Sequence, residues 1–156
     1  MNRSGNILLS GLEPLDDQAF FAPGLHGASP AWTVGHLACV TDLFDSWIRG
    51  QMPALSASFH KVYNSLDLSK KAQTKAEVVS EQDHSKQEII MAYRQAQVRA
   101  LETLDAFDVT RWDERTPHYV PDSLTTYGEV WEALGVHTYW HLGELCGAVE
   151  RFHGTY

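Results

Sequence analysis

The chain has 156 residues, 44% of them apolar and 11% aromatic, which is enough for one self-sufficient core and too much for a disordered chain. Twenty acidic against twelve basic residues leave a net charge of −8, which argues against a nucleic-acid partner and against an anionic membrane surface. No apolar run approaches the roughly 20 residues that span a bilayer, and no signal-peptide h-region follows Met1, so we expect one soluble, cytoplasmic domain over residues 1–156.

Helical periodicity dominates, with no fixed repeat, low-complexity tract or period-2 alternation. A first helix over about 3–13 is apolar at Ile7, Leu8, Leu9 and Leu12, and Pro14 stops it. A short helical turn over 16–21 precedes the break at Pro23-Gly24. The second helix starts with Ser29 as N-cap and Pro30 at the first helical position, and runs to Arg49 with Gly50 as the C-cap signal. Its ridge 32, 36, 40, 43, 47 reads Trp-His-Val-Leu-Trp, so His36 lies on an otherwise apolar face. Residues 50–75, with Pro53, several serines and Lys70-Lys71, are too many for a tight turn; we expect them to cross the bundle, carrying a short helix or covering one end.

A third helix is expected from near Ser80 to Phe107, with an apolar stripe at Ile90, Tyr93, Leu101, Leu104 and Phe107 interrupted by Gln97. Residues 108–125, with Pro117 and Pro121, read as irregular, and Arg111 to Arg115 as a loop of solvated charges. Thr126 and Glu129 then form a capping box that opens a fourth helix, expected to run to about Phe152 and end at Gly154. Its inner ridge is Val130, Leu134, His137, His141, Leu145, Ala148 and Phe152. Four long helices without strands predict an all-α four-helix bundle.

Chemistry points to the eight histidines. His137 and His141 stand i, i+4, one helical turn apart on one face. By chance a chain of this composition would give roughly 0.4 such pairs, so spacing alone carries little. Position carries more: both interrupt an apolar ridge, as does His36 on another helix. An unpartnered buried imidazole costs roughly 1–3 kcal/mol. Each histidine can meet that cost by bonding a backbone carbonyl or a carboxylate. The three together can meet it by sharing a divalent cation, and three neutral imidazoles with one open position form a catalytic-zinc pattern.

The remaining candidates are weaker. Cys39, one turn beyond His36, reads as an ordinary buried thiol and Cys146 as structural; two cysteines cannot build a disulfide framework. Asp42 and Asp45 are expected on the solvated side of the second helix, where either can orient a ligand imidazole. His60, His84, His118 and His153 read as surface residues, and His26 as a residue near a pocket mouth. Trp32 and Trp131 read as core, and Trp140 as a helix or subunit contact. No phosphate loop, nucleophile elbow or dithiol motif is present.

The segments Trp32-Thr33-Val34-Gly35-His36-Leu37-Ala38 and His137-Thr138-Tyr139-Trp140-His141-Leu142-Gly143-Glu144-Leu145, in this order and spacing, resemble the second and last core helices of the DinB/YfiT-like metalloenzymes. The resemblance covers nearly the whole chain. It implies a four-helix bundle with a mirror variant of up-and-down topology and a long crossover between helices two and three, often dimeric. It also implies a divalent metal, zinc or nickel among them, on His36, His137 and His141. Some relatives use the metal to activate a low-molecular-weight thiol such as mycothiol or bacillithiol, for transfer or isomerisation. Where many relatives have Gln after the last ligand this chain has Glu144, a candidate fourth ligand, acceptor for a ligand imidazole, or catalytic general base.

Two functions remain in view. One is a metal-dependent transferase, isomerase or hydrolase that activates a small thiol or water. The other is a non-enzymatic, homodimeric bundle with a structural metal or none and a stress-linked binding role. A two-histidine haem bundle ranks third, because nothing specifies a porphyrin pocket.

Overall fold

The computed structural model describes residues 2–24, 28–64, 83–116 and 124–148, with side chains from Gly5 to Leu145 within those spans. The elements are α1 (Asn2–Leu12), α2 (Asp17–Phe21), α3 (Pro30–Arg49), α4 (Ala57–Tyr63), α5 (Lys86–Asp105) and α6 (Tyr127–Ala148), with a 3-10 turn at Val109–Arg111. The described residues contain no strand, only an isolated bridge between Arg115 and Thr126. None of their helices is long and apolar enough to cross a membrane.

The local signals that start and stop these helices are the ones physical chemistry requires. Ser29 accepts from the Trp32 amide at 3.1 Å, Pro30 occupies the first turn, and Gly50 closes α3 with φ 64°, a left-handed value that glycine adopts without strain. On α6, the Thr126 hydroxyl accepts from the Glu129 amide while the Glu129 carboxylate accepts from the Thr126 amide. The third long helix differs from expectation. It starts at Lys86 rather than near Ser80, because Ser85 and Glu88 form a complete capping box there.

Helix α3 is the central element and is buried around most of its circumference, packing against α2, α4, α5 and α6. The pairs Thr41–Gln97, Asp42–Arg99 and Asp45–Thr103 advance together along both helices, so α3 and α5 lie parallel. Parallel neighbours require a connection that returns along the bundle, which is what the length of residues 50–85 supplies. The short helix α4 lies within that connection, as one of the two expectations for it had it.

The core forms two apolar clusters. One gathers Leu8, Leu12, Phe20, Val34, Leu37, Tyr63, Ile89, Tyr93, Leu142 and Leu145, and the other Val40, Phe44, Ala100, Val130, Trp131 and Leu134. On α6, His137 and His141 fall between Leu134 of the second cluster and Leu142 of the first. The α5 stripe is wider than its large residues suggest. Ile90, Tyr93 and Gln97 are buried as expected, but Ala92, Ala96 and Ala100 complete the buried face, and Leu104 is exposed. Leu104 continues the ridge of Ala92, Ala96 and Ala100 but stands in the last turn of α5, where it is exposed.

Asp42 and Asp45 correct the sequence reading outright, since neither is solvated: they are 1% and 0% exposed. Asp42 accepts from the Ala54 and Leu55 amides, His60 Nε2 and Arg99; Asp45 accepts from Thr103 and pairs with Arg49. Burial raises the Asp42 carboxyl, but those four bonds outweigh it and bring the pKa down to about 2. His60 and His84 are likewise half-buried rather than surface residues; His60 holds Asp42 at 3.0 Å, and His84 packs on Phe59 and Tyr63. Around Arg111 the charges are exposed as expected, with Arg111 paired to Glu114 and lying over the Tyr127 ring.

Replacing Ser85 by alanine removes one half of a reciprocal cap on α5. The expected cost is about 1 kcal/mol, read as a lower urea midpoint with an unchanged slope; an unchanged midpoint would show that the cap contributes nothing.

Candidate metal centre

The three histidines that interrupt the apolar ridges meet. One ring nitrogen from each of His36, His137 and His141 lies within 4.8 Å of the other two. His36 and His141 are 3% and 5% exposed, and His137 is half-buried. Ring centroids stand 5.1 Å apart for His36–His137, 5.0 Å for His36–His141 and 4.6 Å for His137–His141. The first ring comes from the N-terminal half of α3, the other two from successive turns of α6. The Trp32 indole stacks flat on His36, with centroids 4.8 Å apart and planes 7° from parallel, and closes one face of the ring.

Hydrogen bonds fix which nitrogen of each ring faces the centre. The Tyr63 carbonyl stands 3.1 Å from His36 Nδ1, and a carbonyl only accepts, so Nδ1 carries the proton and Nε2 the lone pair. The Glu144 carboxylate stands 2.7 Å from His141 Nδ1, with the same consequence for that ring. His36 Nε2 then lies 3.0 Å from His137 Nε2, a contact that requires one proton between two lone pairs. Ligand nitrogens in a tetrahedral zinc site stand about 3.3 Å apart, from metal–nitrogen distances near 2.0–2.1 Å. The 3.0 Å His36–His137 contact and the 4.8 Å limit of the trio bracket that spacing.

The environment keeps the His36 and His137 rings neutral. Burial, followed by the neighbouring His141 and His137, lowers the His36 pKa to about 3 against the opposing pull of the Tyr63 carbonyl. Burial and His141 lower His137 to about 4. Neutral imidazole is the ligand form, so a cation would have to displace only the proton shared between His36 Nε2 and His137 Nε2.

Glu144 does not join the cluster; its Oε2 accepts from the outer nitrogen of His141 and its Oε1 from the Trp140 indole N–H at 3.1 Å. Of the roles open to it, the geometry matches that of an acceptor that orients a ligand imidazole. Neither Asp42 nor Asp45 bonds a ring of the trio directly: Asp42 meets His60, Arg99 and two amides, and Asp45 meets Thr103 and Arg49. Cys39 is buried and faces the Phe59 carbonyl at 3.9 Å; burial pushes its thiol pKa up, away from a thiolate ligand. Sequence reasoning missed the Tyr63 carbonyl, since a backbone acceptor leaves no mark in residue type. His26, His118, His153, Phe152, Gly154, Lys70-Lys71 and the side chains of Cys146 and Ala148 lie outside the described residues.

Comparison with known proteins gives one finding: the family model of the DinB superfamily matches residues 2–145, and the chain belongs to that superfamily. No curated protein and no solved structure matches.

Both shifted imidazoles have folded-state values below their ordinary 6.5, so the unfolded chain binds more protons at acid pH. In the presence of a chelator, their contribution to stability is complete above pH 6.5 and drains as pH falls toward 4 and then 3. Below 3.8 the Asp42 carboxyl, with its folded value at about 2, adds its own loss. Urea midpoints between pH 7 and 4 should therefore fall, and the fall should flatten in His137→Gln; equal slopes in both proteins would contradict the assignment.

Proposed function

We propose that this DinB-superfamily chain binds one divalent cation through His36, His137 and His141 and uses it to activate water or a low-molecular-weight thiol. The observation that carries the proposal is the convergence of three imidazoles, two of which, His36 and His141, have their outer N–H groups held by the Tyr63 carbonyl and the Glu144 carboxylate. Zinc and nickel suit an all-nitrogen donor set. A cation so held is a Lewis acid that lowers the pKa of a water or thiol at its remaining coordination position.

The chain's own residues supply the rest. Tyr63 and Glu144 hold protons on the outer nitrogens of His36 and His141, so that both rings present lone pairs inward. Trp32 and the surrounding apolar clusters limit water on the inner side of the rings. Glu144 acts in this reading as a positioning residue through His141, with Trp140 holding its second oxygen. A small neutral or electrophilic substrate fits the chain's −8 charge better than nucleic acid does. The one described cysteine, Cys39, is a buried free thiol, which suits the reducing cytoplasm.

Elemental analysis of protein purified without a His-tag or added metal tests the proposal. We expect close to one zinc or nickel per chain, loss of that metal in His137→Ala, and retention of the helical signal. Metal-free wild type that takes up neither ion would overturn it, and a Soret band would redirect it to haem. Glu144→Gln should weaken metal affinity by roughly 10- to 100-fold. Screening small thiols with electrophilic substrates, beside simple esters and amides, separates thiol transfer from hydrolysis.

A second reading, a homodimeric scaffold, is favoured by one observation. Val136, Tyr139 and Trp140 on α6 are 65%, 54% and 68% exposed, an apolar strip that a second copy of the chain would cover. Sedimentation should then give a dimer that Tyr139→Glu converts to monomer; a wild-type monomer at every concentration removes this reading.

A further inference from the structure

The nitrogen donor at His36 depends on an element that contributes no ligand. Its outer N–H donates to the carbonyl of Tyr63, the last residue of α4, and α4 has only seven residues. A helix that short does not persist by itself in water. Two contacts on opposite ends hold it against α3.

At the Tyr63 end, the aromatic ring lies directly on the backbone of Gly35, the residue before the ligand. A Cβ at Gly35 would sit 2.3 Å from Tyr63 Cδ1, so any side chain there would displace the ring and the carbonyl it carries. Phe59 and Tyr63 are both buried in this contact, their rings 4.5 Å apart. At the other end, Asp42 reaches across from α3. Its carboxylate accepts from the amides of Ala54 and Leu55 at 3.0 and 2.9 Å, which fixes the chain entering α4, and from His60 Nε2 within α4 at 3.0 Å. Arg99 on α5 holds the same carboxylate at 3.0 Å. The α3 helix therefore carries both a ligand and, further along, the clasp for the segment that orients that ligand.

We propose that Asp42 and His60 are positioning residues for the metal centre: by clasping α4 to α3 they keep the Tyr63 carbonyl under His36 Nδ1 and so set the affinity of the site. This rests on the metal reading above. Release of the clasp frees α4 to shift, His36 loses the acceptor that fixes its ring and tautomer, and an inward lone pair is no longer guaranteed.

Asp45 provides the internal control. It too is a buried carboxylate of α3, bonded to Thr103 and paired with Arg49, but it makes no bond to α4. Asp42→Asn, His60→Gln and Asp45→Asn are compared with wild type in the full chain, titrated with Co2+ alone. Affinity is read by chelator competition, the visible d–d bands report coordination, and thermal unfolding reports stability. We expect Asp42→Asn and His60→Gln to lose about 10- to 100-fold in Co2+ affinity with altered d–d bands. Asp45→Asn should lose stability while keeping wild-type affinity and bands. His60→Gln, which leaves Asp42 its amide and Arg99 bonds, decides the matter if Asp42→Asn does not fold. Wild type that binds Co2+ beside a His60→Gln protein of equal affinity would overturn this inference alone. So would equal affinity losses in Asp45→Asn and His60→Gln. Wild type that binds no Co2+ would overturn the metal reading and this inference with it.

Discussion

A neutral imidazole has one proton and one lone pair, and the interior of this bundle has to place both on three rings at once. The Tyr63 carbonyl and the Glu144 carboxylate take the outer protons of His36 and His141. That choice turns the lone pairs toward one another, where they repel unless a proton or a cation stands between them. The 3.0 Å contact between His36 Nε2 and His137 Nε2 is the proton-bridged answer. Burial lowers both pKa values, so extra protons are not a ready answer, and a cation becomes the fuller one. The same arrangement that costs stability in an apolar core is one that could hold a cation, and functional sites are where proteins commonly give up local stability.

The scaffold delivers this geometry through a polar seam that runs the length of α3. From Gly35 to Arg49 the helix meets, in order, the Tyr63 ring, the trio, Thr41–Gln97, the Asp42 hub and the Asp45–Thr103 pair. Because α3 and α5 are parallel, each step along one helix meets the matching step on the other. A buried carboxylate such as Asp42 is tolerable only with several donors, and it has four, from the connection, α4 and α5. The hub therefore adds to the Thr41–Gln97, Asp45–Thr103 and Gly35–Tyr63 contacts in setting the register of α3, α4 and α5, and the His36 turn of α3 inherits the result.

Residue type and spacing carried the local parts of this structure. Ser29-Pro30 and Gly50 mark α3, and Thr126 with Glu129 marks the start of α6, because caps are satisfied by neighbours in sequence. The trio was legible for a related reason: a histidine on an apolar ridge is a local anomaly, and three such anomalies point inward together. Asp42 and Asp45 were misread because a carboxylate reads as solvated until its partners from other segments are known; the donors to Asp42 lie 12 to 57 positions away. Leu104 was misplaced because periodicity puts it on the ridge of Ala92, Ala96 and Ala100, while it stands in the last turn of α5, where that ridge leaves the core. The Gly35–Tyr63 contact left only a glycine as its trace, and a glycine in a helix has many causes.

Glu144 shows how much a single substitution in kind can matter at such a site. Three imidazoles in the ligand form would bring no charge, so a divalent cation held among them would keep its full charge toward any further ligand. A neutral amide on the outer nitrogen of His141 would leave that charge untouched. A carboxylate at 2.7 Å raises the electron density of the ring and offsets part of the charge through it. In a loaded site it would strengthen the metal–nitrogen bond and weaken the pull on an anionic ligand. Since its other oxygen is held by the half-open Trp140 side of α6, that balance is set at the surface of the bundle as well as in its core.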